Sequence, residues 1–440
     1  MKKFFTTIRN IFSIEELRQR IFTTIILLIV FRLGSFIVLP GVDAEVINNQ
    51  TDAGGILGFI NNFLGGAFSR ASIFGLGIMP YISASIVIQL LGFTVPYFQK
   101  MQRDGESGRK KINQITRVLT IFIVIGQGVP YVTGTIPSDA ILVDQTFFIF
   151  SSVLILTAGT MFCMYIGERI TEKGIGNGVS MLIMIGIISR LPGSLGQEFA
   201  AKGIDNALIL IIEILALFLV VMAVVMLTQA VRRVPVQYAK QMVGNKVYGG
   251  QRSYIPLKVN ASGVMPIIFA QSLMFLPALV AGLFPEESMT ANYIRVNFSD
   301  FNSPLYNVVF GILIVVFTFF YTAIVVKPND MADDLKRTGG FIPGIKPGKP
   351  TAEYLDDILT KITLPGSIFL GVVAVFPAFA FGLGVGQEFA QFYGGTSLLI
   401  MVGVILDTLQ QIESYLLMRH YDGMMKTGKV KGRAANAAVA

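Results

Sequence analysis

The chain has 440 residues, 53% of them hydrophobic and only 14% charged, with a mean hydropathy of +0.66 and a formal net charge of +8. No water-soluble core of that length needs so much apolar material, and the uncharged runs approach the roughly 20 residues that cross a bilayer, so the composition excludes a soluble globular protein and predicts a polytopic membrane protein. One cysteine, Cys163, and one histidine, His420, exclude a disulfide framework and a histidine–cysteine metal cluster.

Taken in chain order, Ser13 with Glu16 three residues later carries a capping-box signature. Residues 1–20 are therefore expected to form an amphipathic helix on the cytoplasmic surface. Apolar runs bounded by charges or Gly/Pro clusters then place ten spans at 21–39, 73–95, 115–133, 147–167, 177–195, 206–229, 261–284, 304–326, 362–384 and 395–418. The first is too long for a cleaved signal peptide, and no Ala-x-Ala-like site follows it. The fifth has the shortest apolar stretch, Val179 to Leu191, and follows the glycine-rich "KGIGNG". Between spans one and two lies a greasy segment, Ile56 to Phe68, carrying Asn61 and Asn62 and closed by Arg70. At 1.5 Å per residue it reaches only ~20 Å against a bilayer core of ~30 Å, so it cannot cross and is expected to re-enter.

Lysine and arginine orient the chain, because short loops rich in them stay on the cytoplasmic side. Counted with the turns beside them, alternate segments starting from the N-terminus hold thirty and the intervening ones four, with Arg32 alone inside the first span. Both termini are expected to be cytoplasmic.

Ionisable residues within spans are few: Arg32, Glu213, Asp407 and Glu413. Glu213 and Glu413 sit near span ends, where they can snorkel, and Arg32 and Asp407 form an ion pair if their spans touch. This is thin equipment for the proton relay of a gradient-driven transporter. Enzyme motifs are lacking as well. "GFIPGIKPGKP" has proline at both 343 and 350, where a phosphate loop needs glycine and Ser/Thr, and "KGIGNG" follows a span rather than a strand.

Two long cytoplasmic loops stand out. In the first, about 230–260, Val, Tyr and Ile runs flank a "GNK" turn and predict a strand hairpin projecting from the membrane. The second, about 327–361, predicts a short helix, a stiff Gly/Pro-rich tip and an amphipathic helix leading into span nine. Long basic loops with aromatic residues read as docking surfaces.

"FRLGSFIVLPGVD", "SRASIFGLGIMPYISASIVIQLL", "GESGRKKINQITR", "ITEKGIGNGVS", "IPLKVNASGVMP", "DDLKRTGGFIPGIKPG" and "YGGTSLLIMVGVILD" together resemble the SecY family, in family order along essentially the whole chain. The resemblance implies an all-α polytopic fold of ten transmembrane helices in two inverted pseudo-symmetric five-helix halves around a central pore. One half is 21–195, the other 206–418, and 419–440 is a cytoplasmic tail. It places a plug over Ile56 to Ser69, including Phe59, Asn61, Asn62, Phe63 and Leu64, with Gly54, Gly55, Gly65 and Gly66 as hinge points. A constriction of bulky aliphatic residues maps onto Ile78, Ile82, Val179, Ile183, Ile268 and Ile400. A lateral seam maps onto Ser83, Gln127 and Asn260, and docking residues onto Arg232, Arg233, Lys240, Lys336, Arg337 and Lys346. At Lys346 the family usually has arginine, so the charge is kept but the planar two-pronged donor is lost.

The implied activity is passage of unfolded secretory polypeptide across the bacterial cytoplasmic membrane and lateral release of hydrophobic segments into it. No catalysis and no cofactor are implied. The implied partners are SecE and SecG-type small subunits, the SecA motor, the ribosome with its nascent chain, a YidC-type insertase and the lipid bilayer. A secondary transporter with inverted repeats is the alternative, and a docking scaffold without a pore is a third reading.

Overall fold

The computed structural model describes residues 14–43, 46, 65–203, 206–238, 241–243, 246–248, 252–282, 289, 293, 297, 298 and 303–426. Each of the ten predicted spans coincides with a helix: α1 (Glu15–Gly34), α2 (Met79–Thr94), α4 (Gly105–Thr135), α5 (Gln145–Lys173), α6 (Gly178–Lys202), α7 (Ala207–Gln229), α8 (Met265–Gly282), α9 (Pro304–Val325), α11 (Lys349–Gly382) and α13 (Gly395–Lys426). Among the described residues seven helices are long and apolar enough to cross a membrane by themselves. An eighth candidate is α2 followed by α3 (Pro96–Arg103), bent by 102° at the break between them. Three short helices complete the list: α3, α10 (Pro328–Arg337) and α12 (Gln387–Ala390).

Two boundaries differ from expectation. Glu15 to Arg20, assigned from sequence to a separate surface helix, are the first turns of α1, which is capped at Ile14 without a side-chain bond. No glycine or proline interrupts the run from Glu15 to Phe22, so nothing separates the two stretches. Span two also starts later than predicted, because residues 73–78 form turns and the helix begins only at Met79.

The described residues gather into two compact units: those up to Arg190 together with 404–426, and those from Leu191 to Gly403. In the first unit, α4 packs on α5 and α2 on α4, and α5 approaches the backbone of residue 73 and of α6 closely. A Cβ on Gly159 would lie 2.2 Å from the Ile73 carbonyl oxygen, and one on Gly178 would lie 1.9 Å from that of Gly167. Small residues at such crossings let apolar helices meet where no hydrophobic effect drives them together.

The "KGIGNG" bend between α5 and α6 is a clamp built on backbone groups. Thr24 Oγ1 accepts from the Ile175 N–H at 3.0 Å, and Gln411 Oε1 from the Gly176 N–H at 2.9 Å. Arg20 donates to the Gly174 carbonyl at 3.3 Å while its guanidinium lies over the Tyr415 ring. These contacts place the C-terminal part of α13, read from sequence as the close of the second half, with the first unit.

In the second unit, α9 packs on α11 and α8 on α9. Residues 231–258 and 328–359 contribute to a small folded body. β1 (Val231–Tyr238) pairs antiparallel with β4 (Arg252–Lys258), from Val231 against Lys258 to Gln237 against Arg252. Between them β2 (Gln241–Val243) and β3 (Lys246–Tyr248) pair antiparallel, and Gly244 and Asn245 of the predicted "GNK" turn lie outside the described residues. The other edge of β1 is taken by β5 (Gly340–Phe341) from the second loop, giving the order β4-β1-β5. Val234, Val236, Leu257, Leu335, Ile342, Leu355 and Leu359 form one buried core beneath the sheet. The two loops are therefore a single body rather than two appendages.

Candidate functional site

The site begins where helix fails. Non-helical backbone is tolerated at membrane depth only where protein surrounds it, and residues 65–78 meet that condition. Ala67 and Ala71 are 1% exposed and Ser72 is fully buried. Gly65 and Gly66 adopt φ of +61° and +86°, values that suit glycine, and Ala71 has φ +47°. Of the predicted plug and its hinges, only Gly65, Gly66 and the residues to Ser69 are described. Gly54, Gly55, Ile56, Phe59, Asn61, Asn62, Phe63 and Leu64 lie outside the described residues. Arg32 donates to the Gly65 carbonyl at 3.4 Å and lies over the Phe36 ring, as Arg70 does. Arg32 is thus engaged at this chain reversal, and Asp407 lies exposed on α13.

Ile78 is the N-cap residue of α2, and the Ile82 N–H donates to its carbonyl at 3.1 Å, so the two side chains share one face. Both are buried, as is Ile183 on α6. A Cβ placed on Gly167 would lie 3.4 Å from Val179 Cγ2 and 3.5 Å from Ile78 Cδ1, so Val179 and Ile78 converge over the bare backbone of α5. Four of the six predicted constriction residues therefore belong to the first unit. In the second, Ile400 is 1% exposed and Ile268 half-buried.

Two of the three predicted seam residues make local bonds. Ser83 donates to the Met79 carbonyl of its own helix at 3.2 Å, Asn260 accepts from Ser262 at 3.3 Å, and Gln127 is exposed on α4. Arg232 and Arg233 are exposed on β1, Lys336 and Arg337 close α10, and Lys346 sits exposed at the tip. All five stand on the same sheet-centred body; Lys240 lies outside the described residues. Their grouping rests on β5, a two-residue strand too short to announce itself in sequence.

Glu213 departs from expectation. Instead of snorkelling it is 7% exposed and joins Lys202, which also contacts Glu198 at 2.7 Å. Glu198 in turn accepts from the Gly386 N–H at 3.0 and 3.1 Å. Sequence reading missed this cluster because Lys202 and Glu213 belong to two successive helices, and Gly386, which caps Glu198, lies 188 residues further along the chain. Among the described residues no group of three or more His, Cys, Asp or Glu is placed to hold a metal.

Apolar helices in series, one of them entered through buried, non-helical backbone flanked by buried isoleucines, with a basic folded body between spans, define a multi-pass α-helical membrane protein. The SecY family model matches residues 72–409. The protein translocase subunit SecY of Halalkalibacterium halodurans is 44% identical over 96% of this chain and 100% of its own length, and that of Vibrio cholerae 40% over 96% of each. Among solved structures, a protein-conducting channel superposes with TM-score 0.65 at 18% identity, covering 90% of this chain and 92% of the other. Sec61 from a canine ribosome–channel complex gives 0.60 at 18%, with the same coverage. The chain belongs to the SecY family, a family of protein-conducting channels and not of enzymes. The transporter alternative finds no support among these relatives.

Proposed function

We propose that this chain is the pore subunit of a bacterial protein translocase, set in the cytoplasmic membrane with both termini inside. Unfolded polypeptide passes between Ile78, Ile82, Val179, Ile183, Ile268 and Ile400. A narrow apolar throat of this kind dewets and blocks ions when little else fills it, and it offers no hydrogen bonds that would favour one substrate sequence. The segment from Ile56 to Ser69 stoppers the throat from outside. Hydrophobic segments leave between Ser83 and Gln127 on one side and Asn260 on the other. They sort themselves by residue hydrophobicity, since an Arg, Lys or Asp at mid-bilayer costs ~2.5–3.5 kcal/mol and Leu or Ile gains a few tenths.

Arg232, Arg233, Lys240, Lys336, Arg337 and Lys346 receive the SecA motor or the ribosome, with SecE, SecG-type and YidC-type proteins as membrane partners. Because the described members stand on one folded body, the two loops present a single basic surface. The likeness to Sec61 from a ribosome–channel complex supports the ribosome as one occupant.

The observation that carries this reading is the buried, non-helical entry to span two, which runs directly into the Ile78–Ile82 face of a SecY-family chain. The test is a stalled secretory precursor in vesicles supplied with SecA, SecE and ATP. Photocrosslinkers at Ile78, Ile82, Ile183, Ile268 and Ile400 should all capture the precursor. Labelling of lipid alone at these positions would refute the pore.

A further inference from the structure

A cavity in the second unit is lined by residues of α8, α9, α11 and the first turn of α13, and its volume open to a water-sized sphere is about 50 Å³. Backbone makes this space. Pro377 carries no N–H, so the Val373 carbonyl inside α11 has no helical donor. A Cβ on Gly394 would overlap that carbonyl oxygen, and Gly395, at φ +65°, turns the chain into α13 in a conformation that suits glycine. The start of α13 therefore meets α11 through bare backbone.

The walls hold polar groups in surplus. Tyr306 is 6% and Ser397 4% exposed, and neither hydroxyl has a hydrogen-bond partner among the described residues. The N–H groups of the first turn of a helix lack intrahelical acceptors, and Gly395, Thr396 and Ser397, which carry them here, all line the cavity. The Thr396 hydroxyl is satisfied, donating to Gln271 Oε1 of α8 at 3.2 Å. Chemistry separates the possible occupants. An apolar chain would leave both hydroxyls and the N–H groups without partners, which is costly for each. An anion suits a helix N-terminus, but no lysine, arginine or histidine lines the cavity to neutralise it. Water carries no net charge, both donates and accepts, and needs ~10–15 Å³ a molecule, so the cavity takes about three to five.

We propose that this cavity is a hydration site, in which a cluster of ordered waters completes the hydrogen bonds of Tyr306, Ser397 and the first turn of α13 and thereby joins α8, α9, α11 and α13. Gln271 stands three residues after Ile268 and Thr396 four before Ile400, so each shares a helix face with that isoleucine. The hydrated joint is thus the footing of the two constriction residues proposed for the second unit. The site itself stands whether or not those residues line a pore.

The test is radiolytic footprinting of the purified complex in lipid nanodiscs, read residue by residue by mass spectrometry. Hydroxyl radicals formed from ordered water oxidise the aromatic rings beside it. Tyr306 and Phe310, 6% and 5% exposed, should therefore be modified faster than Phe389, which is 1% exposed in the same unit. Rates at both positions equal to that of Phe389 would overturn the proposal, whether a lipid chain fills the space or the walls close on each other.

A second measurement reads the hydroxyls. Tyr306→Phe and Ser397→Ala each remove a group that water satisfies, and each should lower the melting temperature by about 2–4 °C. In a dry cavity the same changes delete a polar group that is costly to bury, so a melting temperature that holds or rises would refute hydration. Exchanging chloride for gluconate should leave the parent's melting temperature unchanged. A fall would make the ligand an anion and overturn water.

Discussion

Replacing Lys202 by methionine removes one buried cation shared by two carboxylates, at nearly constant volume. Lys202 Nζ lies 2.7 Å from Glu198 Oε1 and also bonds Glu213, while Glu198 is 4% and Glu213 7% exposed. Burial pushes the phenol of Tyr393 above its usual range, with the two carboxylates adding to the effect, so this neighbour stays neutral and supplies no charge. The buried set therefore carries two negative charges and one positive. At 2.7 Å and an effective dielectric of about 20, the gross attraction of one pair is ~6 kcal/mol, most of it offset by the desolvation of both ions. Removing the shared cation leaves two buried carboxylates uncompensated, a loss of about 3–5 kcal/mol. At about 2–4 °C per kcal/mol for a unit of this size, the melting temperature should fall by about 6–20 °C.

The assay is thermal unfolding of the purified complex in detergent, followed by intrinsic tyrosine fluorescence and by aggregation. Glu213→Gln is the internal control. It leaves Lys202 and Glu198 as a neutral pair and should cost no more than about 1 kcal/mol. A Lys202→Met protein melting within about 2 °C of the parent, or a Glu213→Gln protein as unstable as Lys202→Met, would refute the reasoning.

Three further outcomes are expected. Gly178→Ala drives a Cβ to 1.9 Å from the Gly167 carbonyl oxygen and should cost about 1–3 kcal/mol through separation of α5 and α6, read as lowered melting temperature and yield; an unchanged melt would show that the crossing can relax. Leu355→Ala, at a fully buried position under the sheet, should cost about 2–5 kcal/mol and expose both cytoplasmic loops to protease together. Cleavage confined to 327–361 would mean that the two loops do not share one core. Ile78→Ser with Ile82→Ser wets the proposed throat and should raise idle ion conductance; a silent double variant would remove these residues from the constriction.

Number, order and approximate limits of the spans were legible in the sequence, because burial in lipid demands about 20 apolar residues at a stretch and leaves a mark no soluble helix carries. The hairpin at 231–258 was legible for a similar reason, as β-branched runs around a turn. What failed to show was whatever depends on which distant segments meet. Glu213 read as a snorkelling residue because Lys202 is its partner only once α6 and α7 are side by side.

The late start of α2 was hidden because "SIFGLGIM" is apolar throughout; its backbone leaves helix where the 37–39 strap accepts the Ile73 N–H and the Ile73 carbonyl lies against the bare Cα of Gly159. β5 is two residues long and exists because β1 offers it an edge. Hydrophobicity is a property of each residue and accumulates along the chain, so the sequence alone determined that this protein lives in a membrane and where it crosses. Pairing of buried polar groups belongs to two places at once, and only the tertiary structure decided where the crossings break and how the two long loops join.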